Sequence, residues 1–166
     1  MIVKKILKKK NKYYQKYFAR TLDEKALLTD LSKFGLKEGM DVFIHSSLNK
    51  LGNIQGGPVT VINSLTKVVG INGTILMPGF TIRKSMLKSF EHLEKNDLVF
   101  DYKKEIPLVG AIPRAFFGTK GVRRSIHPTH SVLAHGKNAE YFTKGHEICD
   151  STFGIGTPLY KLIESD

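Results

Sequence analysis

Three short polar segments of this sequence contain residue types that could bind an anionic ligand and move a proton. The first is His45-Ser46-Ser47, which ends an apolar run and is followed by Gly56-Gly57. Hydroxyls and free backbone amides beside a glycine-rich helix start suit an anion. A serine-rich turn with a structural glycine pair has the same pattern, so both interpretations stay open. The motifs of a phosphate-binding P-loop and of a nucleophile elbow are absent here.

The second segment holds two arginines and two histidines. Arg123 and Arg124 could bind a phosphate or carboxylate through bidentate hydrogen bonds. His127 and His130 flank a proline and titrate near neutrality, which suits general-base work. Surface arginines beside structural loop histidines are the alternative. A zinc site that adds His135 is disfavoured, because His130 and His135 would point to opposite faces of a strand and no carboxylate completes the set.

The third segment places a carboxylate before a glycine turn that leads into a helix. Asp150 precedes Gly154-Ile155-Gly156, and Thr157-Pro158 follows. Helix-entry chemistry alone would explain this pattern equally well. Cys149 fits a small core residue better than a nucleophile, because a neighbouring carboxylate raises the pKa of a thiol.

The composition fits one ordinary folded domain. The chain has 166 residues, of which 41% are hydrophobic and 25% are charged. The sequence has no apolar run of about 18 residues, so we expect no membrane-spanning helix. One cysteine cannot form an internal disulfide, and no apolar signal core follows the basic start. These features predict a cytoplasmic protein.

The net charge of +11 is concentrated at the start of the chain. Residues 1–20 hold eight basic side chains and no acidic one, interleaved with aromatic residues. We therefore divide the chain into a basic arm, 1–20, and a main body, 21–166. A solvated helix docked on the body is the simplest interpretation of the arm. Weak contact with an anionic surface is the alternative, and nucleic acid is not the expected partner.

Helical and strand patterns alternate along the main body. This alternation predicts an α/β fold, with a central, partly parallel sheet flanked by helices. The strands are predicted at 41–45, 74–78 and 131–135. Helices are predicted at 22–34 with a Thr21–Glu24 capping box, at 58–69, 106–117 and 137–144, and at 158–163 with Thr157 as N-cap. The charged stretch 83–97 is predicted to be an excursion over a cleft.

Taken in order, these segments resemble one family, the aminoglycoside 3-N-acetyltransferases. The resemblance covers about residues 22–164 and is carried by an ordered run of blocks. The first blocks are Gly35-Leu-Lys-Glu-Gly-Met-Asp41, Val42-Phe-Ile-His-Ser-Ser-Leu48, Gly56-Gly57-Pro58-x-Thr60-Val61 and Gly73-Thr74-Ile-Leu-Met-Pro78-x-Phe80-Thr81. The later blocks are Gly110-Ala-Ile-Pro113-x-Ala115-Phe116, Gly121-Val-Arg-Arg-Ser-Ile-His-Pro-Thr-His-Ser-Val132 and Asp150-x-x-Phe153-Gly154-x-Gly156-x-Pro158-Leu159.

The resemblance implies an acetyltransferase with acetyl-coenzyme A as co-substrate, no metal, and an amine of an aminoglycoside or aminosugar as acceptor. A base would take the proton of the attacking amine, and amides or hydroxyls would stabilise the oxyanion. By position, the resemblance implies coenzyme contacts at His45, Ser46, Ser47, Met77, Thr81, Arg123, Arg124 and Ser125. His127 would be the catalytic residue, and Thr129, His130 and Asp150 would meet the acceptor.

Two departures from the family pattern keep alternatives open. Family members run longer and carry a later histidine with a glutamate partner, and the resemblance implies that this histidine is the general base there. We therefore expect the C-terminal part of the family's fold to be missing, and a catalytically incomplete, coenzyme-binding fragment is one alternative. The stretch 83–105 mixes both charges, although a polycationic aminoglycoside favours an acidic lining. An aminosugar of surface-polysaccharide synthesis is therefore another acceptor to consider. The sequence leaves the oligomeric state open.

Overall fold

The main sheet of the computed structural model, which describes residues 21–81, 85–95 and 100–165, is mixed. Its strand order is β2-β4-β6-β5, with β2 parallel to β4, and β6 antiparallel to both of its neighbours. Two further strands, β1 and β3, pair with each other in parallel. The strands are β1 Thr21–Leu22, β2 Asp41–Phe43, β3 Asn53–Ile54, β4 Thr74–Pro78, β5 Arg123–Arg124 and β6 Val132–Gly136.

Helices connect the strands and cover both faces of the sheet. A short 3-10 turn, His146–Ile148, lies between the last two helices. The helices are α1 Glu24–Lys33, α2 Leu48–Leu51, α3 Gly57–Val69, α4 Met86–Glu94, α5 Ala111–Phe117, α6 Ala139–Thr143 and α7 Pro158–Glu164. In this part of the chain, none of them has the length and apolar character needed to cross a bilayer.

Successive side chains of the central strands point to opposite faces of the sheet, so the core consists of two layers, one on each face. On β4, Ile75 and Met77 face a core formed with α1, α3 and α5, whereas Leu76 faces the opposite core. That second core contains Phe142 of α6, with Leu162 of α7 packed against it. Both faces of a strand are therefore covered, which explains why β4 is apolar at successive positions. The predicted α/β fold, with a partly parallel sheet between helices, is confirmed.

Two predicted helices begin where the sequence signals place them. Helix α3 starts at Gly57, with Pro58 in its first turn, and it ends at Gly70, whose φ is 65°. Helix α7 starts at Pro158, and the Thr157 hydroxyl accepts the backbone N–H of Tyr160. Proline at the first turn and threonine at the N-cap are favoured because the first amides of a helix lack internal partners.

Several predicted elements have different limits in the structure, among them the strand predicted at 131–135, observed at Val132–Gly136, and the helix predicted at 137–144, observed at Ala139–Thr143. Asp23, and not Thr21, caps α1 by accepting the backbone N–H of Ala26 at 2.8 Å. The helix predicted at 106–117 begins only at Ala111, after Gly110, whose φ of 128° is incompatible with a helix. The first predicted strand ends at Phe43. The basic arm, 1–20, lies outside the described residues.

Candidate active site

The polar segments meet because of the direction of the strands. Strands β2, β4 and β5 point the same way, so their carboxyl ends lie at one edge of the sheet. Strand β6 runs the opposite way and starts at that edge. The connection 125–131 between β5 and β6 therefore lies beside the residues that follow β4. Ligands of α/β proteins bind at the carboxyl ends of strands, so this edge is the candidate site.

Hydrogen bonds fix the 125–131 connection to the segment after β4. The backbone N–H of Gly79 donates to the Ser131 carbonyl at 2.7 Å, and that of Thr81 donates to the Thr129 carbonyl at 3.1 Å. The Thr81 hydroxyl donates to the Pro128 carbonyl at 2.6 Å, and the Ser131 hydroxyl donates to the Gly79 carbonyl at 2.8 Å. These bonds fix the position of the connection, and therefore of its histidines, relative to the sheet.

Three imidazole rings form a row at this edge. The ring centroid of His127 lies 5.8 Å from that of His130 and 4.8 Å from that of His146. Burial lowers the pKa of all three imidazoles, and that of His146 falls to about 4. The proximity of the other rings adds to the effect at His127 and His146. All three rings are consequently uncharged at neutral pH.

His127 is half-buried, and its ring supports the backbone of its own turn. Its Nδ1 accepts the backbone N–H groups of Thr129 at 3.2 Å and of His130 at 3.0 Å. The His130 ring makes T-shaped contacts with Phe80 and with Phe153, and its Nδ1 is 2.8 Å from the Thr129 hydroxyl oxygen. The expected catalytic residue and two expected acceptor contacts are therefore neighbours.

Ser125 is fully buried beneath these rings. Its hydroxyl oxygen accepts the Val132 backbone N–H at 2.8 Å and lies 2.8 Å from Nδ1 of His146. Ser125 was expected to contact the coenzyme, but its hydroxyl is engaged inside the protein. His146 itself was not among the expected site residues. It is separated from Ser125 by 21 positions in the sequence, and no local pattern relates the two.

The two adjacent arginines face different surroundings. The Arg124 side chain is buried between Phe100 and Phe117, and its guanidinium donates to Ser131 Oγ and to the carbonyls of Gly79, Tyr102 and Glu105. Burial lowers its pKa to about 10. These bonds favour a structural role for Arg124 over the phosphate contact expected from the sequence.

Arg123 remains exposed and pairs with Glu140 at 2.9 Å. It lines an open cavity of about 660 Å³ together with Lys103, Ile126 and Lys144. The lining includes four basic side chains, those of Lys103, Arg123, Arg124 and Lys144, and two carboxylates, those of Glu140 and Glu147. An exposed ion pair contributes little to stability, so Arg123 can exchange its partner for an anionic ligand at small cost.

Of the other residues expected to contact the coenzyme, some are exposed and some are buried. His45 and Ser47 are exposed after β2, where the His45 ring packs on Phe43 at 5.0 Å. The Ser46 hydroxyl is buried and has no hydrogen-bond partner among the residues that the structure describes. Met77 is completely buried in the core, so its side chain cannot touch a bound coenzyme here.

Asp150 is exposed, and it lies three positions before Phe153, which packs on His130. The segment that carries the carboxylate is therefore held near the row of imidazoles. Within the described ranges, no group of three or more histidine, cysteine or acidic side chains is arranged to hold a metal ion.

Comparisons with known proteins agree with this architecture. The model of the aminoglycoside 3-N-acetyltransferase family matches residues 43–166. The SPbeta prophage-derived aminoglycoside N(3')-acetyltransferase-like protein YokD of Bacillus subtilis is 34% identical over 159 residues, which is 87% of this chain and 57% of that protein. The chain thus spans little more than half the length of this relative.

Two solved structures show the same fold. One, described as AAC-IIIb binary with CoASH, has a TM-score of 0.76 and 30% identity, and the match covers 88% of this chain and 57% of that one. The other, AAC-VIa bound to sisomicin, has a TM-score of 0.77 and 26% identity, with 87% and 57% covered.

Proposed function

The chain belongs to the aminoglycoside 3-N-acetyltransferase family, and we propose that it is an N-acetyltransferase. It transfers the acetyl group of acetyl-coenzyme A to an amine of an aminoglycoside or a related aminosugar. The observation that carries this proposal is the 125–131 connection, which holds neutral imidazoles at the carboxyl edge of the sheet. A structural relative at 30% identity was solved with coenzyme A, and another was solved with the aminoglycoside sisomicin.

The coenzyme lies along the ends of β2 and β4 in this proposal. The exposed residues His45 and Ser47, with the nearby Ser46, offer a hydroxyl- and amide-rich turn for the pantetheine arm. Thr81 contributes by holding the 125–131 connection beside β4, since its hydroxyl donates to the Pro128 carbonyl and its N–H to the Thr129 carbonyl. Arg123, with Lys103 and Lys144 around the adjacent cavity, provides the positive charge that the phosphates need.

The acceptor amine approaches from the side of Thr129, His130 and Asp150. Asp150 is an exposed carboxylate, which attracts the protonated amines of an aminosugar. His130 presents a neutral ring between Phe80 and Phe153, and such a half-buried, partly aromatic surface suits the flat face of a sugar ring.

Titration of the chain with acetyl-coenzyme A by calorimetry tests the donor half of the proposal. We expect saturable binding that Arg123→Ala weakens about tenfold at low salt, by loss of a charge-assisted hydrogen bond. Lys120→Ala removes another exposed cation, which lies between α5 and β5 and does not line this cavity, and is the matched control. A folded chain that does not bind acetyl-coenzyme A would overturn the proposal.

Release of free thiol in the presence of aminoglycosides and simpler aminosugars tests the transfer itself. We expect turnover with at least one acceptor, and a raised KM for polycationic acceptors in Asp150→Asn. Glu147→Gln removes an exposed carboxylate three positions away and should leave KM unchanged. Binding without any turnover would restrict the function of this chain to coenzyme binding and would refute the acetyltransferase assignment.

A further inference from the structure

The hydrogen bonds of His127 determine which ring nitrogen carries its proton. Backbone N–H groups of Thr129 and His130 both donate to Nδ1, at 3.2 and 3.0 Å. A nitrogen that accepts hydrogen bonds from N–H donors cannot itself carry a proton. The neutral ring therefore bears its hydrogen on Nε2.

This tautomer is unsuitable for proton abstraction. Its Nε2 has a hydrogen and no free lone pair, while the lone pair of Nδ1 is occupied by two amides. Taking up a proton at Nδ1 would break both hydrogen bonds and would release the turn at Pro128. The imidazolium would also lie 4.8 Å, centroid to centroid, from the buried ring of His146, in surroundings that disfavour charge.

The same geometry suits hydrogen-bond donation. In the part of the chain that the structure describes, no hydrogen bond to Nε2 of His127 is present, and the ring is only half-buried. The two amides and the adjacent His146 ring, tilted by 33° relative to that of His127, hold the imidazole in one orientation. A donor fixed in this way loses little entropy when it meets a developing negative charge.

We propose that His127 takes part in acetyl transfer as a hydrogen-bond donor through Nε2–H, and that it is not the general base. This inference depends on the function proposed above. As the amine nitrogen forms its bond to the acetyl carbon, the carbonyl electron pair moves onto oxygen. That pair then returns as the carbon–sulfur bond breaks, and coenzyme A leaves as the thiolate. Nε2–H of His127 stabilises the negative charge on the thioester, and a separate base receives the proton that the amine loses.

Nuclear magnetic resonance of the chain labelled with ¹⁵N-histidine measures the tautomer directly. Long-range proton–nitrogen correlation distinguishes protonated from unprotonated ring nitrogens, and His127→Asn identifies the signals of His127. We expect Nδ1 unprotonated and Nε2 protonated at neutral pH. A proton on Nδ1, or averaging between the two tautomers, would overturn the proposal.

Addition of ligands tests the donor role. Acetyl-coenzyme A should shift the Nε2–H resonance of His127, whereas coenzyme A without the acetyl group should leave it in place. An unmoved resonance, in a sample in which calorimetry shows bound acetyl-coenzyme A, would overturn the donor role alone. Absence of binding would overturn the function proposed above, and the donor role with it.

Two substitutions of His127 separate the roles of its two ring nitrogens, Nδ1 and Nε2. Gln places an amide N–H near the position of Nε2, and Asn places an oxygen near the position of Nδ1. We expect His127→Gln to keep the preference for acetyl-coenzyme A over coenzyme A, and His127→Asn to lose about fivefold of it, as for one hydrogen bond. Loss of the preference in both variants, or in His127→Gln alone, would contradict the proposal.

Discussion

Replacement of Arg124 by methionine tests whether its guanidinium stabilises the fold or is available to a ligand. The Arg124 side chain joins three parts of the chain, because it donates to Ser131 at 2.8 Å, to the Gly79 carbonyl at 2.6 Å and to the Tyr102 carbonyl at 3.1 Å. Methionine keeps the apolar packing between the flanking aromatic rings and removes only the donors. The variant therefore isolates the hydrogen bonds.

The expected loss follows from these contacts. A hydrogen bond to a charged group contributes about 1.5–3 kcal/mol, and bonds that share one side chain do not add. Removing one side of a buried charged network costs about 3–5 kcal/mol, because the remaining polar groups lose their partners. Arg124 is 8% exposed, so water can replace few of the lost donors. We expect Arg124→Met to lower the free energy of unfolding by about 3 kcal/mol.

Urea denaturation followed by circular dichroism measures this loss. With a slope of about 1–3 kcal/mol/M, the midpoint should fall by about 1–3 M. Arg123→Met is the matched control, since the neighbouring arginine is exposed and its side chain forms a surface ion pair with Glu140. This variant should change stability by less than about 1 kcal/mol. Equal shifts in the two variants would refute this reasoning. Such a result would favour the phosphate-binding role that was expected for Arg124 from the sequence.

Three further predictions concern the backbone, a helix cap and pH. Gly136→Ala should destabilise the chain by about 2 kcal/mol or more in thermal melts, because its Cβ would lie 2.2 Å from a backbone oxygen at a φ of 128°. Gly145→Ala, with open space at a φ of 79°, should cost only about 1 kcal/mol, and equal costs would contradict the steric argument. Thr157→Ala should lower the urea midpoint by the equivalent of about 1 kcal/mol, whereas Thr157→Ser should retain the cap. Because burial lowers the pKa of His146 to about 4, the unfolded chain binds more protons between that value and the ordinary 6.5. Stability should therefore fall as the pH drops from about 6.5 to about 4, and urea midpoints that do not change over this range would exclude the effect.

Local signals in the sequence were sufficient for several elements. Gly56-Gly57-Pro58 and Gly70 enclose a run with helical periodicity, and α3 occupies that interval. The segment Thr74–Pro78 is mostly apolar because the core covers β4 on both sides, and this pattern predicted the strand. In these places, propensity, capping chemistry and burial favour the same structure, so the sequence alone defines the element.

Other elements depend on contacts that no local pattern contains. Strands β1 and β3 have two residues each and exist because they pair across 32 positions. Their pairing takes Thr21 into a strand, which leaves the N-cap of α1 to Asp23. The sequence shows two adjacent arginines at β5 but cannot show which of them faces the interior, because that depends on the register with β6.

The direction of β6 explains why the candidate site contains a segment that precedes a strand. In a purely parallel sheet, residues 125–131 would lie at the amino edge of the strand that follows them, far from His45 and Thr81. Because β6 is antiparallel to β4, its first residues lie opposite Pro78, and the Thr81 backbone can bond to Thr129. Within the turn that leads into β6, the backbone N–H groups of Thr129 and His130 donate to Nδ1 of His127. The reversal that builds the site therefore also selects the donor tautomer of its central histidine.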